Sequence, residues 1–385
     1  MKKLLPILSL LIIISCSKEI QPDQLVERNG LSYEVNNEKP FTGATLSYHS
    51  NGQVESRIEY KNGLRDGLSE TFNKNGQILE SEHYKENILN GLYEHFYENG
   101  QLRVKVILNN KLPVDGQVET FYKNGSVHQR SNYKNGKFNG LVESYYEDGT
   151  LESKENYKDG QYHGQKEVFF KNGSVFNRIN YKDGKRNGLY ESYYVDGTLE
   201  SKKNYKDGKF NGLVESFYRD GTLKDKQNYK DGQYNGLVES FYEDGTLKDK
   251  QNYKDGQYNG LVESFYEDGT LKDKQNYKDG KSNGFYEYFY KDGTLRFKQN
   301  YKDGKRNGLY ESYYEDGTLQ SKENYKDDKL DGQRVFFYTI ARKSIKNYSD
   351  GKLDGLSVNI HEDGFEWGHT CFKNDEKVSM SNCQN

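Results

Sequence analysis

Polar and apolar positions alternate along the chain in short runs that are separated by turn signals. A run such as residues 213–218 has the length of a strand and is rich in Phe, Tyr and Val, which favours β-structure. Asp220-Gly221 and Asp231-Gly232 separate consecutive runs. Asp-Gly between β-prone runs indicates a two-residue type I′ turn, because both central residues need a positive φ. The sequence therefore predicts β-hairpins, and beyond the apolar N-terminal segment no stretch has a sustained helical period.

The same pattern recurs along almost the whole chain. Residues 228–251 are repeated without change in residues 252–275, and residues 204–227 differ from them at three positions. The glycine that opens each unit is found at Gly43, Gly67, Gly91, Gly116, Gly140, Gly164, Gly188, Gly212, Gly236, Gly260, Gly284, Gly308, Gly332 and Gly355. The step is 24 residues, except for one step of 25 and one of 23. We therefore predict an array of about fourteen stacked units over residues 43–364.

Charge predicts the register of these hairpins. A two-residue turn at Asp220-Gly221 places Glu215 opposite Lys226, whereas a three-residue loop places Glu215 opposite Asp225. Like charges that face each other are unfavourable, so the sequence favours the shorter loop. The two faces predicted on this register carry Val214, Tyr218, Leu223 and Tyr229 on one side, and Leu213, Glu215, Phe217, Lys224 and Lys226 on the other. Neither face can support a thick core, so stability must come from neighbouring repeats.

The repeating unit resembles a known repeat family. Its sequence, N-G-L-x-E-S-F-Y-x-D-G-T-L-x-x-K-x-N-Y-K-D-G, is similar to the bacterial variant of the MORN repeat. The resemblance implies an all-β fold, an elongated single-layer antiparallel β-meander built from tandem 24-residue hairpins. It implies a scaffold or an interaction surface rather than one activity. MORN repeats also lie beside the kinase domain of plant phosphatidylinositol phosphate kinases, but we find no catalytic module in this sequence.

The first residues resemble a bacterial lipoprotein signal peptide. A basic start precedes the apolar residues 4–14, a segment too short to span a bilayer as a helix. The Ile-Ile-Ser-Cys segment that ends at Cys16 resembles a lipobox, which implies removal of residues 1–15 and lipidation of Cys16. The alternative is an ordinary secretory signal with an unrelated cysteine. Several acyl chains would anchor the protein stably in a membrane, and Ser17 fits the outer-membrane sorting pattern of diderm bacteria, facing the cell surface or the periplasm.

The segments that flank the array are short. Residues 16–29 are predicted to carry the lipidated cysteine and to form a flexible tether. Residues 30–42 are interpreted as a degenerate half-repeat at the first edge, and residues 365–385 as a C-terminal cap on the last edge. In an exported chain, Cys371 and Cys383 of this cap are candidates for a disulfide, with free thiols as the alternative.

The sequence offers no catalytic or metal-binding constellation. The seven His residues are scattered and absent from the near-identical central units, and no unit has the Asp/Gly spacing of calcium-binding β-rolls. Residues that recur in every unit do not mark a singular catalytic site, so we expect no enzyme activity, no cofactor and no metal. Lys+Arg 56 nearly balance Asp+Glu 59, which argues against a nucleic-acid partner.

The Tyr-rich face is the candidate interaction surface. Its central residues are Tyr218, Tyr229, Tyr242, Tyr253, Tyr266 and Tyr277. Because repeated weak sites gain strength through avidity, we expect a membrane-anchored scaffold that contacts a protein, a host surface or another copy of itself.

Two other functions stay open. Phe-Tyr before Asp-Gly resembles the aromatic-turn signature of choline-binding repeats and suggests a glycan-binding envelope module, although such cages are rich in Trp and this chain has one Trp. An antitoxin-like role is often attached to MORN-variant chains, although a cytosolic antitoxin should lack a lipobox.

Overall fold

The structure, a computed structural model, describes residues 18–383. Within this range there is no α-helix, and two short 3₁₀-helices lie at Pro22–Gln24 and Met380–Cys383. The chain divides into two compact units. Of the described residues, unit 1 comprises residues 18–176 with Asn180–Lys185, and unit 2 comprises Asn177–Ile179 with residues 186–383.

Unit 1 consists of strands that follow one another along the chain. They are β1 Glu19–Ile20, β2 Leu25–Arg28, β3 Leu31–Glu34, β4 Gly43–Tyr48, β5 Val54–Lys61, β6 Leu64–Phe72, β7 Ile78–Lys85, β8 Ile88–Phe96, β9 Leu102–Asn109, β10 Leu112–Pro113, β11 Gly116–Phe121, β12 Val127–Lys134, β13 Lys137–Tyr145, β14 Leu151–Lys158, β15 Gln161–Tyr162 and β16 Gly164–Phe169. Two further strands contribute residues to both units, β17 Val175–Lys182 and β18 Lys185–Tyr193.

Unit 2 continues the same pattern. Its strands are β19 Leu199–Lys206, β20 Lys209–Phe217, β21 Leu223–Lys230, β22 Gln233–Phe241, β23 Leu247–Lys254, β24 Gln257–Phe265, β25 Leu271–Lys278, β26 Lys281–Phe289, β27 Leu295–Lys302, β28 Lys305–Tyr313, β29 Leu319–Lys326, β30 Lys329–Leu330, β31 Gly332–Phe337, β32 Lys343–Ser349, β33 Lys352–Leu353, β34 Gly355–Ile360, β35 Glu366–Lys373 and β36 Glu376–Val378.

Each unit is an antiparallel meander with little core. In unit 1 the pairing runs in chain order from β4 to β16, and in unit 2 from β18 to β36. Few apolar side chains are buried, and Val142 and Val214 are examples from the two units. The predicted fold class, an all-β antiparallel meander of tandem 24-residue hairpins, is confirmed.

One of the two predicted turns has the predicted form. Lys230 lies opposite Gln233, so Asp231 and Gly232 form a two-residue loop. Their φ angles are 51° and 88°, which both central residues of a type I′ turn require. The N–H of Gly232 also donates a hydrogen bond to the carbonyl of Phe210, 2.8 Å away in the preceding repeat. This turn therefore closes its own hairpin and bonds to the hairpin before it.

The turn predicted at Asp220-Gly221 is different. The N–H of Tyr218 donates to the carbonyl of Thr222 at 2.8 Å, and the N–H of Gly221 donates to the carbonyl of Tyr218 at 2.9 Å. The loop therefore has three residues and ends at Gly221, whose φ is 90°, as in a type I turn followed by a left-handed glycine. The Asp220 carboxylate accepts the N–H of Thr222 at 2.9 Å, which favours this form over the predicted two-residue turn.

A β-bulge compensates for the longer loop. Phe217 lies opposite Leu223, but farther along the hairpin Glu215 lies opposite Lys226, as predicted. The register shifts between these pairs, so that Lys224 is an extra residue on its strand. A bulge of this kind places two residues opposite one, which restores the register that a two-residue turn would have given. The favourable Glu–Lys pairing is therefore kept.

The bulge also corrects the predicted faces. The sequence placed Leu223 on the face of Tyr218 and Lys224 on the opposite face. In the structure Leu223 lies opposite Phe217, whereas Nζ of Lys224 is 5.6 Å from the ring centre of Tyr218. Strict alternation fails here because both residues of a bulge can point to the same side. We name the face that carries Val214, Tyr218, Lys224 and Tyr229 the tyrosine face.

The two irregular repeat lengths fall where the strands are already irregular. In the 25-residue step, two residues, Val114 and Asp115, lie between β10 and β11, whereas a single residue separates the corresponding strands β15 and β16. In the 23-residue step, β31 and β32 pair without a register shift, with Phe337 opposite Lys343 and Val335 opposite Ile345. This hairpin therefore lacks the bulge residue. Both length changes preserve the pairing of the neighbouring strands.

The N-terminal segment differs from the predicted tether. β1 pairs in parallel with β4, and the N–H of Ala44 donates to the carbonyl of Lys18 at 2.9 Å. Ile20 is buried. The first strand of a meander would otherwise present unpaired backbone groups, so the segment is held by the edge that it covers. Cys16 and the predicted signal peptide lie outside the described residues.

The ends of the array are closed by short elements. After β1, the hairpin of β2 and β3 occupies part of the region interpreted as a half-repeat. At the other end β36 has only three residues, and Cys371 of β35 is bonded to Cys383 with their Cα atoms 5.9 Å apart. Cys371 is buried. The disulfide therefore attaches the last 3₁₀-helix to the final hairpin.

Candidate functional site

The structure separates the six predicted tyrosines into two rows. Tyr229, Tyr253 and Tyr277 stand beside the type I′ turns, two positions before the Asp of each turn. The other three, Tyr218, Tyr242 and Tyr266, begin the three-residue loops at the opposite ends of the strands. The six residues therefore share a face but do not form one cluster, and the two rows have different contacts.

The first row is a continuous line of closely spaced, mutually tilted rings, which we name the aromatic row. Tyr229 lies directly opposite Tyr234 across its hairpin, with ring centres 4.6 Å apart, and Tyr234 is 5.0 Å from Tyr253 of the next hairpin. The row in unit 2 consists of Tyr205, Phe210, Tyr229, Tyr234, Tyr253, Tyr258 and Tyr277. Such spacings are favourable for aromatic pairs. A shorter row of the same kind in unit 1 consists of Tyr133, Phe138, Tyr157, Tyr162 and Tyr181.

Two hydroxyl groups of the aromatic row, those of Tyr229 and Tyr253, donate hydrogen bonds to glutamine side chains. Tyr229 donates to Oε1 of Gln227 at 3.0 Å, and Tyr253 donates to Oε1 of Gln251 at 3.0 Å. Burial, followed by hydrogen bonding to the next tyrosine of the row, raises the pKa of Tyr229 and Tyr253. These two tyrosines therefore present uncharged hydroxyl groups beside partly buried rings.

The second row, which we name the loop row, joins neighbouring repeats. The hydroxyl of Tyr218 donates to the carbonyl of Phe241 at 2.9 Å, and that of Tyr242 donates to the carbonyl of Phe265 at 2.9 Å. Tyr266 makes the same bond at 3.0 Å. Because these hydroxyls are already bonded to the backbone, the loop row has a structural role between repeats.

Four of the seven rings of the aromatic row in unit 2 were not predicted from the sequence. Tyr234 and Tyr258 were not among the predicted site residues, although they fill the gaps between those that were. The signal was present, because a type I′ turn at Asp231-Gly232 places Tyr234 opposite Tyr229. Some other units have Arg at the position of Tyr234. In one of them, the Arg306 guanidinium lies 4.3 Å from the ring centre of Tyr325. Ser282 interrupts the row after Tyr277.

The described residues give no sign of a metal site or of a membrane-spanning helix. Between residues 18 and 383, no group of three or more His, Cys, Asp or Glu side chains could hold a metal ion. No helix in this part of the chain has the length and apolar character needed to cross a bilayer.

Comparison with solved structures gives only weak likenesses. The chain is similar to structures of TcdB2-TccC3-Cdc42 at 10% identity, of TcdB2-TccC3 at 11%, and of the Photorhabdus luminescens Tc holotoxin pore at 11%. These matches cover 87%, 82% and 85% of this chain, with a TM-score of 0.16 in each case. The chain spans less than a quarter of the length of those proteins, 22%, 24% and 24%. We base no argument on them, and no curated protein matches the chain.

The family comparison is decisive. The MORN repeat variant profile matches eleven segments that together cover more than half of the chain. They are residues 41–62, 65–86, 89–110, 114–135, 138–159, 186–207, 210–231, 234–255, 258–279, 283–303 and 306–327. The predicted units that begin at Gly164, Gly332 and Gly355 are outside the matched segments. The chain belongs to the MORN repeat variant family.

Proposed function

We propose that the protein is an exported, lipid-anchored scaffold whose aromatic row contacts a protein partner at several equivalent positions. The repeats form a scaffold of the kind that serves as an interaction module. The observation that carries the proposed contact surface is the uninterrupted line of ring contacts from Tyr205 to Tyr277. The aromatic row repeats one arrangement of rings and hydroxyls at a fixed spacing.

The chemistry of the row suits protein recognition. Tyr supplies a rigid ring and a polar group at low entropic cost and is enriched at interfaces. Tyr234 contacts the rings of Tyr229 and Tyr253 at interplanar angles of 32° and 34°, and all three residues are only partly buried, so part of each ring remains for a partner. Identical positions along the row would let weak contacts combine through avidity. No catalytic role is assigned to the chain.

The anchor would lie close to the array. Two residues, Ser17 and Lys18, lie between Cys16 and Glu19, which begins β1, and the three steps along the chain from Cys16 to Glu19 span at most about 10 Å. A lipidated Cys16 would therefore hold the first hairpins beside the membrane. Metabolic labelling with a fatty-acid analogue tests this part of the proposal. Label is expected on the wild type and absent from Cys16→Ser; label retained by Cys16→Ser would refute the assignment.

The binding surface is tested with substitutions that the chain already tolerates. Ser282 occupies the position equivalent to Tyr234 and Tyr258, so Tyr234→Ser and Tyr258→Ser should fold. Immobilised protein that lacks residues 1–16 is used to capture partners. Capture should fall in the single variants and further in the double variant. Glu243→Arg is the matched control, because the preceding unit has Arg219 there, and it should capture normally. Equal capture by all variants would contradict the proposal.

A further inference from the structure

One stretch of the tyrosine face departs from the repeating sequence. Units in the centre of the array carry Val238 and Asp249, whereas Tyr286 and Phe297 occupy the equivalent positions 48 residues later. Tyr310 occupies the Val position of the following unit. Tyr recurs at this position in two units that precede that of Tyr286, whereas an aromatic residue at the position of Phe297 occurs once in the array. A feature that occurs once in a repetitive array is a candidate for a singular site rather than for a structural role in every unit.

The aromatic side chains at these positions surround one glutamine. Gln299 lies directly opposite Tyr286 on one neighbouring strand and directly opposite Tyr310 on the other. Phe297 precedes it by two residues on the same strand, so it belongs to the same face. Gln299 is only 2% exposed. An amide side chain is therefore enclosed by aromatic rings.

The carbonyl oxygen of this glutamine has no hydrogen-bond donor among the described residues. In the central units, Oε1 of Gln227 and of Gln251 accepts from the tyrosine two residues later. In Gln299, Nε2 donates to the carbonyl of Asn300 at 2.9 Å, and Oε1 is buried without a partner. A buried polar atom without a partner is unfavourable, so this oxygen points to an absent donor.

The glutamine lines a pocket with mixed chemistry. The pocket, lying within unit 2, has a volume of about 520 Å³ and includes Tyr286, Phe297, Tyr310, Glu323 and Arg334, which is within the usual size of small-ligand sites. Ring centres are 5.2 Å apart between Tyr286 and Phe297, and 6.0 Å apart between Phe297 and Tyr310. The Arg334 guanidinium is paired with the Glu323 carboxylate at 2.9 Å. The pocket therefore combines aromatic walls with polar groups.

We propose that this pocket binds one sugar residue of a neutral saccharide. A sugar ring has C–H groups that suit the negative face of an aromatic ring, and hydroxyls around its rim. One hydroxyl would donate to Oε1 of Gln299, and others would reach Glu323 and Arg334. A ligand with apolar faces and several hydroxyls satisfies the whole set of lining groups. This site is independent of the repeated aromatic row.

Saturation-transfer NMR with the folded protein lacking residues 1–16 tests the proposal, using cellotriose, maltotriose and tri-N-acetylchitotriose as probes. Saturable binding of at least one trisaccharide is expected. Gln299→Met should weaken it about tenfold, because it removes one hydrogen bond to a buried group. The matched control, Gln251→Met, should bind like the wild type.

A consensus variant, which carries the residues of the central units, distinguishes loss of binding from loss of folding. Tyr286→Val, Phe297→Asp and Tyr310→Val install residues that the central units carry at these positions, so the combined variant should retain a cooperative melt and lose binding at least tenfold. No saturable binding of any trisaccharide up to about 10 mM would overturn the proposal. Equal binding by the wild type and the consensus variant would also overturn it, as would binding of a tyrosyl dipeptide in preference to every saccharide.

Discussion

The hydroxyl of Tyr218 donates a hydrogen bond to the backbone carbonyl of Phe241, 2.9 Å away and 23 residues later in the chain. The same relationship joins Tyr242 to Phe265. Each bond connects the loop end of one hairpin to the next hairpin. The tyrosine before the Asp-Gly loop thus contributes to the interface between repeats, which is where an array with little core must gain its stability.

Removing one of these hydroxyls should weaken the array. Tyr242→Phe keeps the ring but leaves the carbonyl of Phe265 without its donor, so the free energy of unfolding should fall by about 1 kcal/mol. Urea denaturation followed by circular dichroism measures the change. Glu243→Arg on the adjacent loop residue is the control and should have no effect. Unchanged stability in Tyr242→Phe would contradict the role of the hydroxyl.

Acid should destabilise the three-residue loops. The backbone N–H and then the hydroxyl of the following Thr lower the pKa of Asp220, Asp244 and Asp268. A carboxylate whose pKa is lower in the folded state contributes stability above its unfolded pKa, about 3.9, and loses it as the pH falls through the folded pKa. The melting temperature should therefore fall below about pH 4.

Replacing these aspartates by asparagine separates the contribution of the loop carboxylates to the pH dependence from that of the other carboxylates. Replacing Asp220, Asp244 and Asp268 by Asn keeps an oxygen that can accept the Thr N–H, but it removes the titrating group. Between about pH 5 and pH 3, the melting temperature of the triple variant should fall by less than that of the wild type. Identical losses in the two proteins would show that these aspartates do not carry the effect.

Alkali should act on the buried tyrosines. Burial is the main cause that raises the pKa of Tyr286 to about 12 and the pKa of Tyr325 to about 12. A group whose pKa is higher in the folded state contributes stability that is complete below its unfolded pKa, about 10, and is lost as the pH rises through the folded value. Tyrosinate absorbance should therefore appear at higher pH in the native protein than in urea. Coincident titration curves would refute this, and Tyr286→Val should remove one late-titrating group.

Two deletions of a single residue test the role of the bulge. Deleting Lys248 removes the bulge residue of its hairpin and leaves Glu239 opposite Lys250, as in the natural hairpin of β31 and β32. Deleting Gln251 shortens the same strand but brings Glu239 opposite Asp249 if the bulge is lost. Opposed like charges cost up to about 1 kcal/mol, and a retained bulge would instead turn the following side chains to the wrong face.

Thermal melting distinguishes these two deletions. The variant without Lys248 should melt within a few degrees of the wild type, because its register has a precedent in the same chain. The variant without Gln251 should melt at a clearly lower temperature. If the deletion of Lys248 is the more damaging of the two, the bulge does not absorb changes of length in this array.

Much of the fold could be predicted because turn chemistry is local. Asp231-Gly232 forms the predicted type I′ turn, and the predicted pairing of Glu215 with Lys226 is confirmed. The loop at Asp220 was predicted wrongly, since a two-residue turn and a three-residue loop followed by a bulge give the same Glu–Lys pairing. Charge alone cannot distinguish these two solutions.

The features that depend on packing were less accessible from sequence. Ile20 belongs to a two-residue strand that forms only because the edge of β4 is available to it. Tyr234 could have been placed in the aromatic row from the turn register, but the contact of its ring with Tyr253 depends on how neighbouring hairpins stack. The unpartnered oxygen of Gln299 could be recognised only from the contacts of the folded chain.

The 24-residue hairpin is the unit of stability of the array, and each hairpin depends on contacts with its neighbours. Deleting residues 252–275 removes one whole period, so every later side chain keeps its face. Deleting residues 233–243 removes β22 and would leave β21 and β23 as parallel neighbours. Parallel neighbours need a crossover of about a dozen residues or more, which the remaining turn cannot supply.

The most direct measurement is the melting temperature of these two deletion variants beside the wild type. Removal of residues 252–275 should leave a cooperative melt close to that of the wild type. The smaller deletion of residues 233–243 should lower the melting temperature far more. Equal destabilisation by the two deletions, or a larger fall in melting temperature on removing the complete repeat, would contradict the role of the 24-residue hairpin as the unit of stability.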